Sequence, residues 1–281
     1  MSWRMYTVDY KAEILKIAPP GVISKMEFSD SLETYQEKEC RTLNSLPGEL
    51  KGYDCEICKN KGVVYVVKGG YTVAQECKCM PVRQTLVRIR KSGLEDALEQ
   101  NTFDTYIVKE PWQERIKETA ISFLDDYKEN WFFIGGQVGA GKTHICTALV
   151  GEFISRGYAA KYMLWKDEAT KLKSVVNDAD SYEPLMYELK TIPVLYIDDF
   201  FKTSLDDRGN RVPPTQGDIN LAFEILNHRY NQSKITIISS EMTIRELIAC
   251  DEAVGSRIFQ RTKKYQLSLS KDQNKNQRLK E

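Results

Sequence analysis

Apolar positions from residue 112 onward alternate between two periods. Trp112, Ile116, Ala120, Phe123, Leu124 and Tyr127 share one helical face. WFFIG (131–135) is a short unbroken apolar run, the pattern of a strand buried on both faces. A Gly-rich loop, a helix over 143–155 and a strand over 158–164 follow. A polar helical region, expected to break at Pro184, leads to the strand PVLYI (193–197). Next come a helix over 218–231, the strand ITIIS (235–239), and a helix opened by the capping box Thr243-x-x-Glu246. A helix over 252–262 and a strand near 265–270 complete the pattern, and the polar tail after 270 is expected to fray. Unbroken apolar strands alternating with helices predict an α/β domain, a parallel sheet flanked by helices.

The first third has a different pattern. Tyr6, Tyr10, Ile14 and Ile17 recur at helical spacing until Pro19-Pro20-Gly21, and SLETYQEKECRTL predicts a second helix ending before Pro47-Gly48. GVVYVVKGGYTVAQECKC reads as two strands around Lys68-Gly69-Gly70, a hairpin signal. PVRQTLVRIRKSG then carries Arg83, Arg88, Arg90 and Lys91 without an acid, either as a solvated helix face or linker or as a contact for the DNA backbone.

Composition narrows the field. The 281 residues include 40 basic and 40 acidic side chains, so general polyanion coating is excluded, while a local basic face is not. No apolar run reaches the roughly 18 residues of a membrane span, and MSWRMYTVDYKAEIL lacks a secretory core, so a cytoplasmic protein with no membrane partner is expected.

Four of the seven cysteines fall between 55 and 79, as Cys55-x2-Cys58 and Cys77-x-Cys79. Pairing the hairpin strands brings these four sulfurs to one end, the geometry of a zinc ribbon or knuckle. The second pair is one residue shorter than the usual C-x2-C, and Cys40 is an alternative ligand. Cys146 and Cys250 read as small core residues.

Gly136-Gln137-Val138-Gly139-Ala140-Gly141-Lys142-Thr143 fits the phosphate-binding loop pattern, with a strand before it and a helix after it. Its glycines let backbone N–H groups curl around phosphates, aided by the helix N-terminus. Lys142 is expected at the β- and γ-phosphates and Thr143 on Mg2+. VLYI then ends in Asp198-Asp199, with Asp198 expected to hold Mg2+ and Asp199 to polarise the attacking water. ATP is expected rather than GTP, because no Asn-Lys-x-Asp motif occurs. Phe103, Tyr106 and Ile107 are either walls for the base or ordinary core.

GQVGAGKTH, VLYIDDF, ITIISSEMTIREL and GSRIFQR, in that order, resemble the AAA+ ATPases of the DnaC/DnaI helicase-loader group. The resemblance covers roughly 53–270, its cysteine module being similar to the zinc-bearing, helicase-binding region of DnaI-type loaders. It implies a helicase-docking region over 1–92 with its zinc module at 53–80, a linker over 93–111, and an AAA+ domain over 112–281. It further implies that His144 belongs to the ATP-binding loop, and that the protein loads a replicative hexameric DNA helicase using ATP. The runner-up is a transposition helper ATPase of the IstB type; a switch that binds ATP and barely hydrolyses it is the third possibility.

The resemblance places a polar sensor at Ser239-Ser240-Glu241, where Glu241 replaces the usual Asn and Ser240 is the favoured sensor. Arg257 and Arg261 fall in the arginine-finger segment, which implies self-association. Asp199 stands where glutamate is usual, which suggests slow hydrolysis. Lys166, Lys171 and Lys173 fall in the insertion that the family uses for single-stranded DNA, a weak contact here because six acids intervene or follow.

Overall fold

The computed structural model describes residues 33–91, 95–204, 207–208 and 211–279. The expected helix through Tyr6, Tyr10, Ile14 and Ile17 lies outside the described residues, as do the side chains of Arg88 and Lys91.

The N-terminal module begins with helix α1 (Tyr35–Ser45), whose capping box joins Thr34 and Glu37. Strands β1 (Val63–Lys68) and β2 (Tyr71–Glu76) form an antiparallel hairpin. Its two-residue turn needs positive φ at both positions, and Gly69 (58°) and Gly70 (82°) provide it. Helix α1 is tied to the hairpin by Asn44, which bonds both the N–H and the C=O of Tyr65. Helix α2 (Met80–Lys91) then leaves the module.

The remainder is a five-stranded parallel sheet in the order β4-β5-β6-β3-β7. Its strands are β3 (Phe132–Gly136), β4 (Ala160–Leu164), β5 (Val194–Asp198), β6 (Ile235–Ser240) and β7 (Gln266–Leu269). The helices are α3 (Glu95–Gln100), α4 (Pro111–Phe123), α5 (Lys142–Ser155), α6 (Trp165–Ser174), α7 (Ala179–Thr191), α8 (Gln216–Asn231), α9 (Ile244–Cys250) and α10 (Glu252–Thr262).

Strand alternation divides the core into two layers. Phe132, Ile134, Val194, Tyr196, Ile235 and Ile237 face α4 and α5. Phe133, Leu195, Ile197 and Ile238 face the layer of α6 to α10. Each fully buried phenylalanine contributes about 1.5–3 kcal/mol by leaving water. After β3 the chain crosses to the far edge at β4 and returns strand by strand, so the C-terminal ends of β3, β5 and β6 surround one crevice.

The structure differs from three expectations. Pro184 does not break a helix: it lies inside α7, and the interruption falls between Ser174 and Ala179. Pro184 is early in α7 and exposed, so the one hydrogen bond it forfeits leaves the Asp180 carbonyl to water. The tail does not fray: residues 273–279 form two 3-10 turns against the phosphate loop. Nor is α2 a solvated basic face throughout. Val82 and Ile89 enter the first core layer, and the Thr85 hydroxyl accepts the Ala160 N–H of edge strand β4.

The stretch expected as a linker also packs. Among its described residues, Tyr106 is buried beside Gly141 and meets the His144 ring edge-on at 5.2 Å. Phe103 packs against the core, whereas Ile107 is 66% exposed and walls nothing.

Candidate nucleotide cleft and cysteine centre

The loop between β3 and α5 opens onto a cleft of about 450 Å3. Val138, Gly139, Gly141, Lys142, Thr143 and His144 line one side, and Asp199, Lys202 and Glu241 the other. Gly136 and Gly141 adopt φ of 100° and 79°, conformations that side chains resist, and a Cβ on Gly136 would run into the Leu269 carbonyl.

Lys142 is buried, and its ammonium donates to the carbonyls of Gly136 (2.9 Å) and Gln137 (2.6 Å). Burial pushes its pKa down, while the Glu241 and Asp199 carboxylates act to keep it charged. His144 Nε2 lies 2.9 Å from the Thr102 carbonyl, which ties the loop helix to the preceding segment.

Asp198 is held from three sides. Its Oδ1 accepts from the Ser239 hydroxyl and from the Asp199 N–H (3.1 Å), and its Oδ2 accepts from the Tyr162 hydroxyl (3.1 Å). A carboxylate offers about four acceptor sites, so capacity remains for a water of a metal shell. With the Thr143 hydroxyl on the cleft, the donor set is hard oxygen, which suits Mg2+. Burial and the Asp198 charge drive the Tyr162 phenol well above its usual pKa, so it stays a donor.

Asp199 has φ of 52°, which turns its carboxylate into the cleft, where Lys202 Nζ meets it at 2.8 Å. Lys202 also reaches Glu241 at 3.1 Å, and Arg211 reaches Glu241 at 2.8 Å. Burial alone would raise the Glu241 carboxyl, but Arg211 and Lys202 outweigh it and hold the pKa below the usual range.

The expected sensor is placed differently. Ser240 is fully buried, and its hydroxyl donates to the Phe200 carbonyl (2.7 Å) and accepts the Met242 N–H (3.0 Å). Ser239 serves Asp198, and Glu241 is the member of this trio on the cleft.

Neither candidate finger lines the chain's own cleft. Arg261 is clamped within the chain by the Glu129 carbonyl (2.9 Å), the Ser233 hydroxyl (3.1 Å), the Tyr230 carbonyl and the Tyr230 ring. Arg257 donates to Asn227 Oδ1 (3.0 Å) and the Ala253 carbonyl (2.7 Å), and lies over the Phe223 ring at 4.7 Å. Of the insertion lysines, Lys173 is paired with Asp218 at 2.8 Å, and Lys166 and Lys171 are exposed.

The hairpin brings four thiols together. The Sγ atoms of Cys55, Cys58, Cys77 and Cys79 lie within 4.8 Å of one another, and all four residues are buried. Cys55 and Cys77 are 3.8 Å apart and Cys58 and Cys79 3.5 Å, far beyond a disulfide bond. Tetrahedral zinc with bonds of about 2.3 Å spaces its sulfurs about 3.8 Å apart, so the cluster fits that ion. The shortened Cys77-x-Cys79 pair still reaches the cluster. Cys40 does not join it; its sulfur is 3.8 Å from the Thr72 hydroxyl.

Burial would raise the Cys58 thiol, but the Gly62 N–H and the neighbouring thiols bring it down to about 6. Burial drives Cys77 the other way, to about 12.

Several residues were missed in the sequence. Arg83, read as part of a basic run, is buried; it donates to Cys79 Sγ (3.5 Å), the Lys51 carbonyl (3.0 Å) and Asn60 Oδ1 (2.7 Å). Its position four residues after Cys79 was the available signal. Lys202, three after Asp199, carried a similar one. Tyr162 carried none, because only the β4–β5 pairing brings it to Asp198.

Among the described residues no helix is long and apolar enough to cross a membrane. Residues 59–279 match the family described as IstB-like ATP binding protein. The phage-like element PBSX protein XkdC of Bacillus subtilis (strain 168) is 30% identical over 76% of this chain and 81% of its own length. The replicative helicase loader DnaC of Buchnera aphidicola subsp. Acyrthosiphon pisum is 23% identical, over 46% of this chain and about half (52%) of that protein. A crystal structure of the DnaC helicase loader shares the fold, with a TM-score of 0.51 and 21% identity over 62% of this chain and 98% of that one. A crystal structure of DnaI gives 0.50 and 18% over 62% and 92%. With its phosphate loop, acidic strand end and five-stranded parallel sheet arranged as described, the chain belongs to the IstB-like ATP-binding family.

Proposed function

We propose that the protein is a Mg2+-dependent ATPase that uses ATP to place a replicative hexameric helicase on DNA in the cytoplasm. The observation that carries the ATPase reading is the meeting of Lys142, Thr143 and Asp199 at one cleft, with the buried Asp198 carboxylate bonded to the Asp199 N–H directly behind it. Lys142 and the loop amides would bind the phosphates, and Thr143 and Asp198 would hold Mg2+, which supplies charge neutralisation when bound. Asp199 would orient the attacking water and accept its proton once Lys202 releases the carboxylate. That ion pair suits a slow switch more than a motor.

Helicase loading is favoured by the names of the relatives and by the cysteine module, read here as a zinc-held docking element. A putative ATP-binding protein of insertion sequence IS5376, 26% identical over 56% of this chain, keeps the transposition-helper reading as the alternative. Single-stranded DNA contact falls to Lys166 and Lys171 and should be modest and salt-sensitive.

Asp199→Asn is expected to bind ATP as wild type and to lose most turnover. Wild-type hydrolysis by this variant would overturn the assignment of the water-orienting acid. Tyr162→Phe should weaken Mg2+ affinity of the ATP complex about tenfold, as read by metal titration, because Asp198 loses an orienting donor. For the biological role, the purified chain should retain a hexameric replicative helicase on a column in the presence of ATP. Retention of a transposase instead would favour the alternative.

A further inference from the structure

Arg83 is a cation buried against the four thiols. It stands one helical turn after Cys79 in α2 and is 7% exposed. Each of its three nitrogens donates within the N-terminal module. Nε meets Cys79 Sγ (3.5 Å), and Nη1 meets the Lys51 carbonyl (3.0 Å). Nη2 meets the Tyr53 carbonyl (2.6 Å) and Asn60 Oδ1 (2.7 Å). These oxygens are all neutral. The Asp54 carboxylate stops at the Asn60 amide (3.1 Å), and no ion pair among the described residues includes Arg83.

We infer, on the reading of the four cysteines as a zinc site, that Arg83 is the counter-charge of that site and the positioning residue of its Cys79 sulfur. A guanidinium does not shed its proton, so burying one requires strong acceptors on every arm. Arg229, the other buried arginine among the described residues, meets this with oxygens alone. It donates to the Leu189, Ile192 and Ile235 carbonyls and the Thr236 hydroxyl. Arg83 instead aims Nε at sulfur. A thiol sulfur is a weak acceptor, whereas a metal-bound sulfur is a thiolate and accepts a charge-assisted bond. Zn2+ with four thiolates is formally a dianion, and one guanidinium at its edge halves that buried charge.

The shortened second pair explains why a side chain has this task. In the Cys55-x2-Cys58 turn a backbone donor, the Gly62 N–H, reaches Cys58 Sγ (3.3 Å). Cys79, in the pair one residue shorter, takes Arg83. The same guanidinium reaches the first pair through Asn60, whose Oδ1 also accepts the Cys55 N–H (2.9 Å). Arg83 therefore fixes both halves of the cluster relative to each other.

The test is zinc affinity of the full chain, by competition with a chromophoric chelator, for wild type, Arg83→Met, Arg83→Gln and Arg83→Lys. Arg83→Met should hold zinc about 10–100-fold more weakly, the usual cost of losing an outer-sphere partner, and Arg83→Lys should recover part of the loss. With Co2+ in place of zinc, the sulfur-to-metal charge-transfer band of Arg83→Met should move to longer wavelength, because the Cys79 sulfur loses its donor. Looser packing alone does not produce that shift. ATP affinity as in wild type checks that the parallel sheet is folded in each variant. Arg83→Gln, neutral but still a donor, gives the same reading if Arg83→Met fails to fold. Wild-type zinc affinity and an unmoved cobalt band in the neutral variants overturn the inference, as does an equal loss in Arg83→Lys and Arg83→Gln. If the wild type takes up no zinc, the reading of the cysteine centre itself falls. If the wild type takes up zinc and the variants match it, only the role of Arg83 falls.

Discussion

Arg257→Ala should bind ATP almost as wild type and hydrolyse it roughly 10³-fold more slowly, the lower end of the effect of supplied arginines in P-loop enzymes. The two arginines of GSRIFQR are not equivalent. Arg261 is only 15% exposed and spends its guanidinium on the Glu129, Tyr230 and Ser233 groups of its own chain. Its removal should cost about 1–3 kcal/mol of stability, through the carbonyls left without a donor, and it should score in a melting experiment. Arg257 has fewer ties, and lies over the ring of Phe223 (36% exposed) on α8. An exposed aromatic beside an arginine suits a subunit contact. An arginine that far from its own phosphate loop stabilises a phosphoryl group only in a neighbouring copy.

Mixing Arg257→Ala chains with Lys142→Ala chains is therefore expected to restore part of the turnover that each has lost. Some mixed interfaces pair an intact loop with an intact arginine. Turnover that stays proportional to monomer concentration, with no recovery on mixing, would sink the idea of a finger acting in trans.

Purified protein should contain about one zinc per chain, and Cys58→Ser should lose it together with hairpin protection and helicase binding. The reason is the size of the module. β1 and β2 have six residues each and none of them is buried, and a two-stranded hairpin of that kind is marginal on its own. Structural zinc contributes about 10–16 kcal/mol in small thiolate modules, enough to determine whether this one folds. Cys58 is fully buried in the cluster, so serine in its place leaves one ligand short. ATP affinity should survive, because the phosphate loop packs into the core of the parallel sheet while the four cysteines form a separate cluster. Metal-free wild-type protein with a fully protected hairpin would show that the four thiols need no ion.

Helix α2 touches both parts. Its first residues follow Cys79, Arg83 braces that sulfur, and Thr85 bonds the edge strand β4, two residues before Tyr162. The cysteine centre and the Asp198 carboxylate are thus joined by a continuous series of contacts.

Much of this was legible in the chain. Periodicity located every strand of the parallel sheet to within two residues, most clearly the central strands, which are buried on both faces and so are mainly apolar. Local chemistry was legible for a related reason. A phosphate loop is a contiguous backbone device, so Gly136 to Thr143 are next to one another in sequence as in space. The Cys-x2-Cys spacing is likewise a local turn, and the hairpin glycines indicate how its partners return to it. The failures share the opposite property. Propensity places a break at Pro184, but the position is on the exposed face of α7, where the lost hydrogen bond costs little.

By itself, then, the sequence determined the sheet, the phosphate loop, Asp198-Asp199 and the four clustered thiols, all of which depend on spacing along a few residues. Only the tertiary structure decided that Ser240 turns inward while Glu241 faces the cleft, that Arg83 serves a cysteine, that Tyr162 holds Asp198, and that residues 272–279 return to the phosphate loop. Each of these depends on contacts between segments distant in sequence. Whether a polar side chain faces water, a ligand or a carbonyl is set by what packs against it, and no local period encodes that neighbour.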